Sequence, residues 1–561
     1  MPAPTASPAI SEVNQARPMG ALELHWVPGE IPPAFGAEGI GRAAARFREV
    51  CALVVDPRTG ARGVGLMGTV VVGSMPPAGS FPCVGILPGI FPEHLGNRSF
   101  NEVHHVRFPY ATGAMARGIA SKELVIGAAR EGLLAFFGAA GLSMARVRED
   151  LRAIKAALPA GTPFGCNVIH SPQEPEIEDN LVELLIAEDI RWVEASAFMS
   201  LRPSIVRAAF SGVAVRPDGS LLRPRHVFAK ISRPEVAKAF MVPPPAAMLR
   251  GLVAAGHLTE SEAHLASQLP VVEDITVESD SGGHTDGRPL SALLPDILHL
   301  RDAAVESLPF KAPIRVGAAG GLGTPDAIAG AFAMGADFVL TGSVNQACVE
   351  SGLHPDARNL LFAAGIADMA RCPSADMFEI GAEVQVLRRG TLFPQRARRL
   401  QDIYKRHQGL SDLTTDERRF LERDLFRTTV EEAWASTAEF WNRRRPEEVQ
   451  KAETDSRHQM ALLFRTYLGL SSRWPMDGTS DRVTDYQIWT GPAQGSFNTW
   501  VKGHFLEQPK ERTVAEVALN LLEGAAQVQR AQQFRTAGVP VTPLAFAYIP
   551  RPLTKNRPAL T

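Results

Sequence analysis

The sequence predicts an α/β protein built on a closed (β/α)8 TIM barrel. Three observations predict it: eight β-like runs alternate with helix-compatible segments between Val106 and Val349, the alternation fills roughly the 250 residues that such barrels need, and the last two runs end in glycine-rich turns. Alternating strands and helices imply a parallel sheet. An open doubly wound sheet is the alternative, and the residues at the strand ends favour the closed barrel.

The predicted barrel covers residues 106–390. Its eight strands are, in order, VRFPYATG, GLLAFFGAA, FGCNVI, RWVEASA, HVFAKIS, DITVESD, IRVGAAGG and FVLTGS. The segments between them carry apolar residues at i, i+3 and i+4, as amphipathic helices do. The crossover 233–270, after strand five, is longer than the others and predicts a helical insertion, which is either a lid or substrate-binding subdomain above the barrel or a packing element.

Two regions flank the barrel. Residues 19–105 mix short apolar runs with many Gly and Pro residues, which predicts a β-rich N-terminal region. Residues 391–535 are charged with helical spacing and predict an α-rich C-terminal region. Residues 1–18 are expected to be disordered, and the Pro-rich tail 536–561 is expected to be poorly ordered.

Composition narrows the class of protein. The 561 residues carry a formal net charge of −2, which argues against nucleic acid or an anionic membrane as the main partner. No apolar run is long enough to span a bilayer. The five cysteines are far apart and form no CxxC pair, so we expect a reduced, cytoplasmic protein.

Two glycine motifs compete as phosphate-binding loops. Gly63, Gly65 and Gly68 match the literal dinucleotide fingerprint, but TVVVGSMPPAGS follows them where a helix is required, so we reject this motif. The better candidate comprises the turns after strands seven and eight, the recurrent phosphate site of such barrels. It contains Gly320, Gly321, Gly342 and Ser343. The alternative is that these glycines only permit tight turns.

Polar or small residues also end the earlier strands, as a shared ligand site requires. They are Gly113, Ala114 and Met115 after strand one, Asn167 after strand three, Ser196 after strand four and Lys230 after strand five. Asn can hydrogen-bond a planar ring edge, and Lys can hold an anionic centre. Each of them, taken singly, could instead make an ordinary loop hydrogen bond.

Strand six ends in ESDSGGHTDG, where Gly282 and Gly283 allow close backbone approach to a ligand. His284 would lie at the barrel mouth, where it could donate or accept a proton near neutral pH. A structural histidine is one alternative. A metal site formed by Asp280, His284 and Asp286 is another, but it lacks a second histidine or a cysteine at ligand spacing, so no metal is predicted.

Longer segments resemble a known family. FPYATGAMARGIASKELVIGAAREGLLAFFGAAGLS, FGCNVIHSP, FAKISRPEVA, EDITVESDSGGHTD and RVGAAGGLGTPDAIAGAFAMGADFVLTGSVNQA are similar to the FMN-binding barrel of nitronate monooxygenases and flavin-dependent enoyl reductases. ASAFMSL, ADMFEIGAEVQVLRRGTLFP, FRTYLGLSSRW and DYQIWTGPAQGSFNTWVKG are similar to the PfaD-type enoyl reductases of polyunsaturated fatty acid and trans-acyltransferase polyketide synthases. The resemblance extends from about Val64 to Phe534.

The resemblance implies an FMN-dependent reductase, acting in trans, that uses NADPH to reduce enoyl thioesters on acyl carrier protein domains. FMN would contact Gly113, Ala114, Met115, Asn167, Lys230, Gly282 and Gly283, with its phosphate on Gly320, Gly321, Gly342 and Ser343. His284 would be the catalytic acid or base, or a positioning residue. The alternatives are a nitronate monooxygenase-like oxidase or oxygenase and a non-catalytic flavin-binding synthase subunit. Whether the protein forms a homodimer stays open.

Overall fold

The computed structural model describes residues 23–172, 174–308, 313–375 and 378–554. The chain divides into two compact units. The first comprises the residues up to Phe91 together with Gln527–Tyr548, and the second comprises Pro92–Ala526 together with the residues from Ile549 onward. The predicted segment 1–18 lies outside the described residues, and the predicted domain boundaries stay predictions.

The first unit contains an antiparallel sheet of five strands, as the Gly- and Pro-rich pattern predicts. Their spatial order is Arg62–Leu66, Cys51–Val55, Phe81–Leu87, Glu23–Val27 and Thr69–Gly73. Gly63 and Gly65 lie inside a strand that is followed by another strand, so they do not form a strand–turn–helix dinucleotide site. A Cβ atom at Gly65 would lie 2.5 Å from the ring of buried Trp26, so this glycine makes room for the indole.

The second unit contains a closed parallel barrel of eight strands, and all eight predicted strands are confirmed. Each strand pairs in parallel with the next, and the eighth pairs with the first through Val339 and Tyr110. In chain order β1 to β8 are Tyr110–Thr112, Leu134–Phe137, Gly165–Ile169, Trp192–Ser196, His226–Ile231, Asp274–Glu278, Arg315–Ala319 and Val339–Thr341.

Helices connect the strands as the apolar spacing predicts. They are Lys122–Arg130, Met144–Ala157, Pro175–Ala187, Pro203–Phe210, Leu290–Ser307 and Pro325–Ala333, with Pro355–Phe362 after β8. The insertion after β5 is helical and comprises Pro234–Phe240, Ala246–Ala254 and Glu260–Ala266. A short hairpin that the sequence pattern does not reveal, Ala214–Val215 with Leu221–Leu222, precedes β5.

A buried charge network closes the amino-terminal end of the barrel. Arg315 donates two hydrogen bonds to Asp274, at 2.6 and 2.8 Å. His104 Nε2 lies 3.1 Å from the same carboxylate, and Trp192 donates to His104 Nδ1 at 3.1 Å. Because the amino-terminal face of such a barrel serves stability and the opposite face holds the active site, we assign the network a structural role.

Beyond the barrel, the chain forms a hairpin and then helices. The hairpin strands are Met369–Pro373 and Glu383–Leu387, and Gly283–His284 pairs with the second of them. The helices are Phe393–Arg406, Thr415–Arg419, Val430–Arg444, Pro446–Thr454, Ser456–Ser471, Trp474–Asp477, Pro492–Val501 and Val514–Thr536, with a π-helix at Phe420–Phe426. None of the described helices has the length and apolar composition needed to cross a membrane.

The expectation of a poorly ordered tail is wrong for residues 536–554. Pro543–Phe546 forms a helical turn, and Gln527 donates to the carbonyl oxygen of Ala545 at 3.2 Å. Buried Glu516 accepts hydrogen bonds from the backbone N–H groups of Leu553 and Thr554, at 3.1 and 2.9 Å. These hydrogen bonds hold residues 536–554 in place, although their composition alone suggests a poorly ordered segment. Residues 555–561 lie outside the described part.

Candidate active site

One cavity at the carboxyl ends of the barrel strands collects every site residue that the sequence predicts. The twelve residues come from six strand ends, so chain segments far apart in sequence meet at one place. They are Gly113, Ala114, Met115, Asn167, Lys230, Gly282, Gly283, His284, Gly320, Gly321, Gly342 and Ser343. Ser196, at the end of β4, also lines the cavity. No residue of the insertion 233–270 does.

The glycine turns after β7 and β8 form an open cradle. Gly320 and Gly321 have φ of +90° and +71°, a conformation that favours glycine. Gly320 packs against Ser279, whereas a Cβ atom at Gly321 or Gly342 would meet no atom within 4 Å. Backbone N–H groups in such turns bind anions well. The space beside these two glycines therefore fits a phosphate group.

A helix from the C-terminal region completes the cradle, and sequence reasoning did not find it. Helix Pro492–Val501 begins beside Ser343, whose Oγ accepts a hydrogen bond from Gly491 N–H at 3.0 Å. Ala493, in its first turn, lines the cavity together with Trp489. The signal was present as TGPAQG, because proline at the first helical position marks a helix start. Its long sequence separation from the barrel hid the contact.

Lys230 lies between two carboxylates in the cavity wall. Its Nζ is 3.8 Å from Glu194 Oε2 and 3.6 Å from Glu278 Oε1. Burial alone would lower the pKa of Lys230, but the two carboxylates raise it, so the ammonium stays charged. Burial raises the pKa of Glu194, and Lys230 opposes that shift. The two carboxylates therefore keep Lys230 in its ammonium form in the cavity wall.

Asn167 and Gln346 contribute amide groups to the same cavity. Asn167 Oδ1 accepts a hydrogen bond from Ala139 N–H at 2.9 Å, which fixes the side chain and leaves its NH2 group as a donor. Gln346 Nε2 donates to the carbonyl oxygen of Trp489. Gln346 Oε1 is buried and has no hydrogen-bond partner among the described residues. A polar ligand in the cavity would satisfy it.

His284 lies at the edge of the cavity on a short strand. It pairs with Val384 of the hairpin, and its Nε2 is 3.0 Å from Ser374 Oγ. Gly282 lets the segment around Trp489 approach, because a Cβ atom there would lie 2.6 Å from Thr490 Cα. Gly282 is therefore needed for packing against this segment, and both Gly282 and Gly283 also line the cavity. The hairpin and Ser374, which hold the imidazole, were not found from the sequence.

The two carboxylates of the alternative metal site face other donors. Asp286 accepts from Arg233 at 2.8 and 3.0 Å and from Ser232 at 2.8 Å. The Arg233 hydrogen bond holds the pKa of Asp286 below its usual value. Asp280 accepts from Gln385 Nε2 at 2.8 Å. These hydrogen bonds order the ESDSGGHTDG loop around His284. They also occupy the carboxylate oxygens that would have to coordinate a metal ion.

Fold and site together define a (β/α)8 barrel protein whose cavity, at the carboxyl ends of the strands, joins open glycine turns to a histidine. Comparison with known proteins makes this specific. Residues 97–374 match the family "Nitronate monooxygenase", and residues 407–486 match the inserted helical domain of [acyl-carrier-protein] S-malonyltransferase. Residues 97–374 thus form a domain of the nitronate monooxygenase family.

Two relatives are similar over most of this chain. It is 43% identical to a polyunsaturated fatty acid synthase polypeptide of Thraustochytrium sp., over 79% of this chain and 30% of that protein. It is 40% identical to the polyketide biosynthesis protein PksE of Bacillus subtilis, over 78% of this chain and 57% of that protein. The chain thus spans less than two thirds of either curated relative.

A solved structure covers the same region. The crystal structure of the enoyl reductase domain of MlnA, from the macrolactin biosynthesis cluster of Bacillus amyloliquefaciens, is 36% identical. The match covers 79% of this chain and 99% of that one, with a TM-score of 0.75.

Proposed function

We propose that this protein is an FMN-dependent, NADPH-using enoyl reductase that acts in trans, in the cytoplasm, in polyketide or polyunsaturated fatty acid biosynthesis. Its substrates would be α,β-unsaturated thioesters on acyl carrier protein domains. The observation that carries the proposal is that one cavity joins the β7 and β8 glycine turns to His284 and Lys230. The match to the full length of an enoyl reductase domain supports it.

The residues of the cavity fit FMN. Its phosphate would bind at the open turns of Gly321 and Gly342, with Ser343 as a further donor. Asn167 offers amide donors to a ring edge, and Lys230 offers a charge that Glu194 and Glu278 maintain. When bound, the flavin supplies the chemistry that carries hydride from NADPH to the enoyl thioester.

His284 is the residue that we propose gives a proton to the α-carbon of the thioester. Imidazole titrates near neutral pH, so it can hold a proton that the reaction consumes and recover it from solvent. The Ser374 hydroxyl, 3.0 Å from Nε2, fixes the direction of the ring. A role in positioning the thioester carbonyl is the other outcome of the experiment below.

The carrier protein would approach the helical region. Residues 407–486 match a helical domain from an enzyme that is named for its action on acyl carrier protein. We propose that the corresponding helices here face the same kind of partner.

The test is to purify the protein, record its visible flavin absorbance and follow NADPH oxidation with a crotonyl thioester. We expect a yellow protein that oxidises NADPH only when the thioester is present. A His284→Gln variant should keep its flavin and lose about 100-fold or more in kcat, the range of general acid catalysis. A colourless protein that cannot be reconstituted with FMN would refute the proposal.

Two controls separate the alternatives. Reduced protein mixed with air should react more slowly than reduced protein mixed with crotonyl thioester; the reverse order would indicate an oxidase or oxygenase. Turnover by the isolated protein excludes a non-catalytic subunit. His284→Gln protein with normal kcat and raised KM would give the histidine a positioning role.

A further inference from the structure

A second cavity adjoins the first and has no role in the function proposed so far. The two cavities share four residues, which are Ala116, Ile169, His284 and Trp489. The remaining walls of the second cavity come from the loops after β1, β2 and β3, the hairpin and the helical region. The glycine turns after β7 and β8 do not reach it. A ligand in the second cavity would therefore meet a ligand in the first at His284.

Arg117 is the distinctive residue of this second cavity. Its backbone has φ of +59° and is fixed by a 2.7 Å hydrogen bond from its N–H to the carbonyl oxygen of Ala140. Its guanidinium donates to the carbonyl oxygen of Gly469 at 3.4 Å. An arginine held in a left-handed conformation between two loops is strained, and such strain is concentrated at functional positions.

The charge of Arg117 has no carboxylate partner among the described residues within 4.0 Å. Burial, together with Arg473, lowers the pKa of Arg117, and Asp477 only partly offsets this shift. The other guanidinium of the cavity, Arg444, is already paired with Glu174 at 3.1 Å. Arg117 is thus a half-buried cation that none of the described carboxylates contacts, and an anion bound beside it would balance its charge.

We propose that the second cavity is the channel for the phosphopantetheine arm of the carrier protein and that Arg117 binds the phosphate of that arm. The inference rests on the function proposed above, in which the substrate is a carrier-bound thioester. Such an arm has a phosphate at one end and the thioester at the other, so an arm held at Arg117 would direct the thioester toward His284. The helical walls of the channel belong partly to the segment 407–486.

The experiment compares two soluble substrates, crotonyl phosphopantetheine and crotonyl pantetheine, which differ only in the phosphate. For Arg117→Ala we expect KM for the phosphorylated substrate to rise about tenfold or more, as loss of one charge-assisted hydrogen bond implies. KM for the unphosphorylated substrate and for NADPH should not change. Arg117→Lys should recover part of the loss. The control, Arg42→Ala, removes an exposed arginine that is paired with Glu38 and lines neither cavity, and it should match the wild type.

Two outcomes would overturn the proposal: an equal rise in KM for both thioesters, or a rise confined to NADPH, which would assign Arg117 to the nicotinamide donor. Calorimetric binding of phosphopantetheine and pantetheine, without an acyl group, separates this proposal from the proposed function. A preference for the phosphorylated arm that Arg117→Ala abolishes, in a protein without thioester turnover, would support the channel and refute the reductase. Thioester turnover with a KM that Arg117→Ala does not change would support the reductase and refute the channel.

Discussion

Ser374 shows how one hydroxyl can control a proposed catalytic residue. It is buried on the hairpin, and its Oγ lies 3.0 Å from His284 Nε2. One imidazole nitrogen is thereby engaged, which fixes the ring plane and selects the tautomer that the other nitrogen presents. The residue is therefore a positioning residue for His284.

For Ser374→Ala we expect kcat to fall about tenfold, equivalent to about 1.4 kcal/mol for one orienting hydrogen bond. KM for the thioester should be unchanged, and the pH dependence of kcat should shift because His284 loses a partner. Ser374→Thr keeps the hydroxyl and is the matched control. Steady-state kinetics across pH provide the measurement. A lower kcat with an unaltered pH profile would contradict a positioning role.

The same substitution, glycine to alanine, should have opposite effects on stability at two positions of the cavity, Gly342 and Gly282. At Gly342 a Cβ atom would meet nothing within 4 Å and the backbone is not left-handed, so Gly342→Ala should leave stability unchanged. Its methyl group would occupy the proposed phosphate cradle, and FMN affinity should fall about tenfold or more. Titration of the apoprotein with FMN measures this effect. Unchanged affinity would move the phosphate away from the β8 turn.

Gly282→Ala should instead destabilise the protein. The added Cβ would lie 2.6 Å from Thr490 Cα, and a backbone atom cannot move aside as a flexible side chain does. Overpacking of this kind costs about 1 to 3 kcal/mol. Urea denaturation measures it, with Gly342→Ala as the control. Equal stability of the two variants would mean that the Trp489 segment is loosely packed.

At the level of elements, the amino-terminal ends of the barrel strands hold buried ionisable groups that make the stability of the barrel depend on pH. His226, at the start of β5, packs against Trp192 and His104 with ring centroids 6.0 and 5.1 Å apart. Burial, with the charge of His104 second, lowers the pKa of His226 to about 3. Burial alone would raise the pKa of Asp274, but Arg315 and His104 hold it well below its usual range.

These shifts predict loss of stability in acid. The unfolded chain binds a proton at His226 near pH 6.5 while the folded chain does not, so the free energy of unfolding falls as pH drops below that value, by at most about 1.4 kcal/mol per pH unit. Asp274 adds to the loss only below about pH 4. Urea denaturation from about pH 7 to about pH 4 should show a shallower dependence in His226→Gln than in the wild type. The exposed His299→Gln is the control, and identical slopes would contradict the prediction.

The elements that the sequence predicts are those with a local signal. Each barrel strand is a short apolar run, and parallel strands bring their carboxyl ends together, so the pattern alone is enough to place Gly113, Asn167, Lys230, His284 and Gly320 near one another. Glu194 and Glu278 lie inside the runs RWVEASA and DITVESD, but an acidic residue in a strand does not indicate by itself that it pairs with Lys230.

The parts that sequence reasoning did not find depend on contacts between distant segments. Ser374 meets His284 across a hairpin 90 residues away in sequence, and Gly491 meets Ser343 across 148. No periodicity encodes such a meeting. The tail 536–554 looks free by composition because its polar partners, Glu516 and Gln527, belong to a helix that precedes it.

At the level of the whole molecule, the net charge is close to zero, so electrostatic recognition of a partner would depend on individual charged groups. A formal net charge of −2 over 561 residues gives no strong field to steer a partner. Recognition of a carrier protein would instead depend on individual groups such as Arg117. Association should then vary little with salt except through those few contacts.

The division into two compact units predicts two unfolding events. In the first unit, buried Arg530 donates to the carbonyl oxygens of Phe47 at 2.9 Å and Glu49 at 3.3 Å, and also to that of Pro88. Arg530→Met would remove the Arg530 donor from all three; the carbonyl oxygen of Phe47 keeps the N–H of Ile90 as a donor, but the part-buried hydrogen bonds to Glu49 and Pro88 are lost, which costs about 1 to 3 kcal/mol. All residues of the proposed flavin site belong to the second unit. Calorimetry of Arg530→Met should therefore show an early transition at which the flavin circular dichroism persists. The exposed Arg58→Met is the control, and a single transition with simultaneous flavin release would mean that the two units unfold as one.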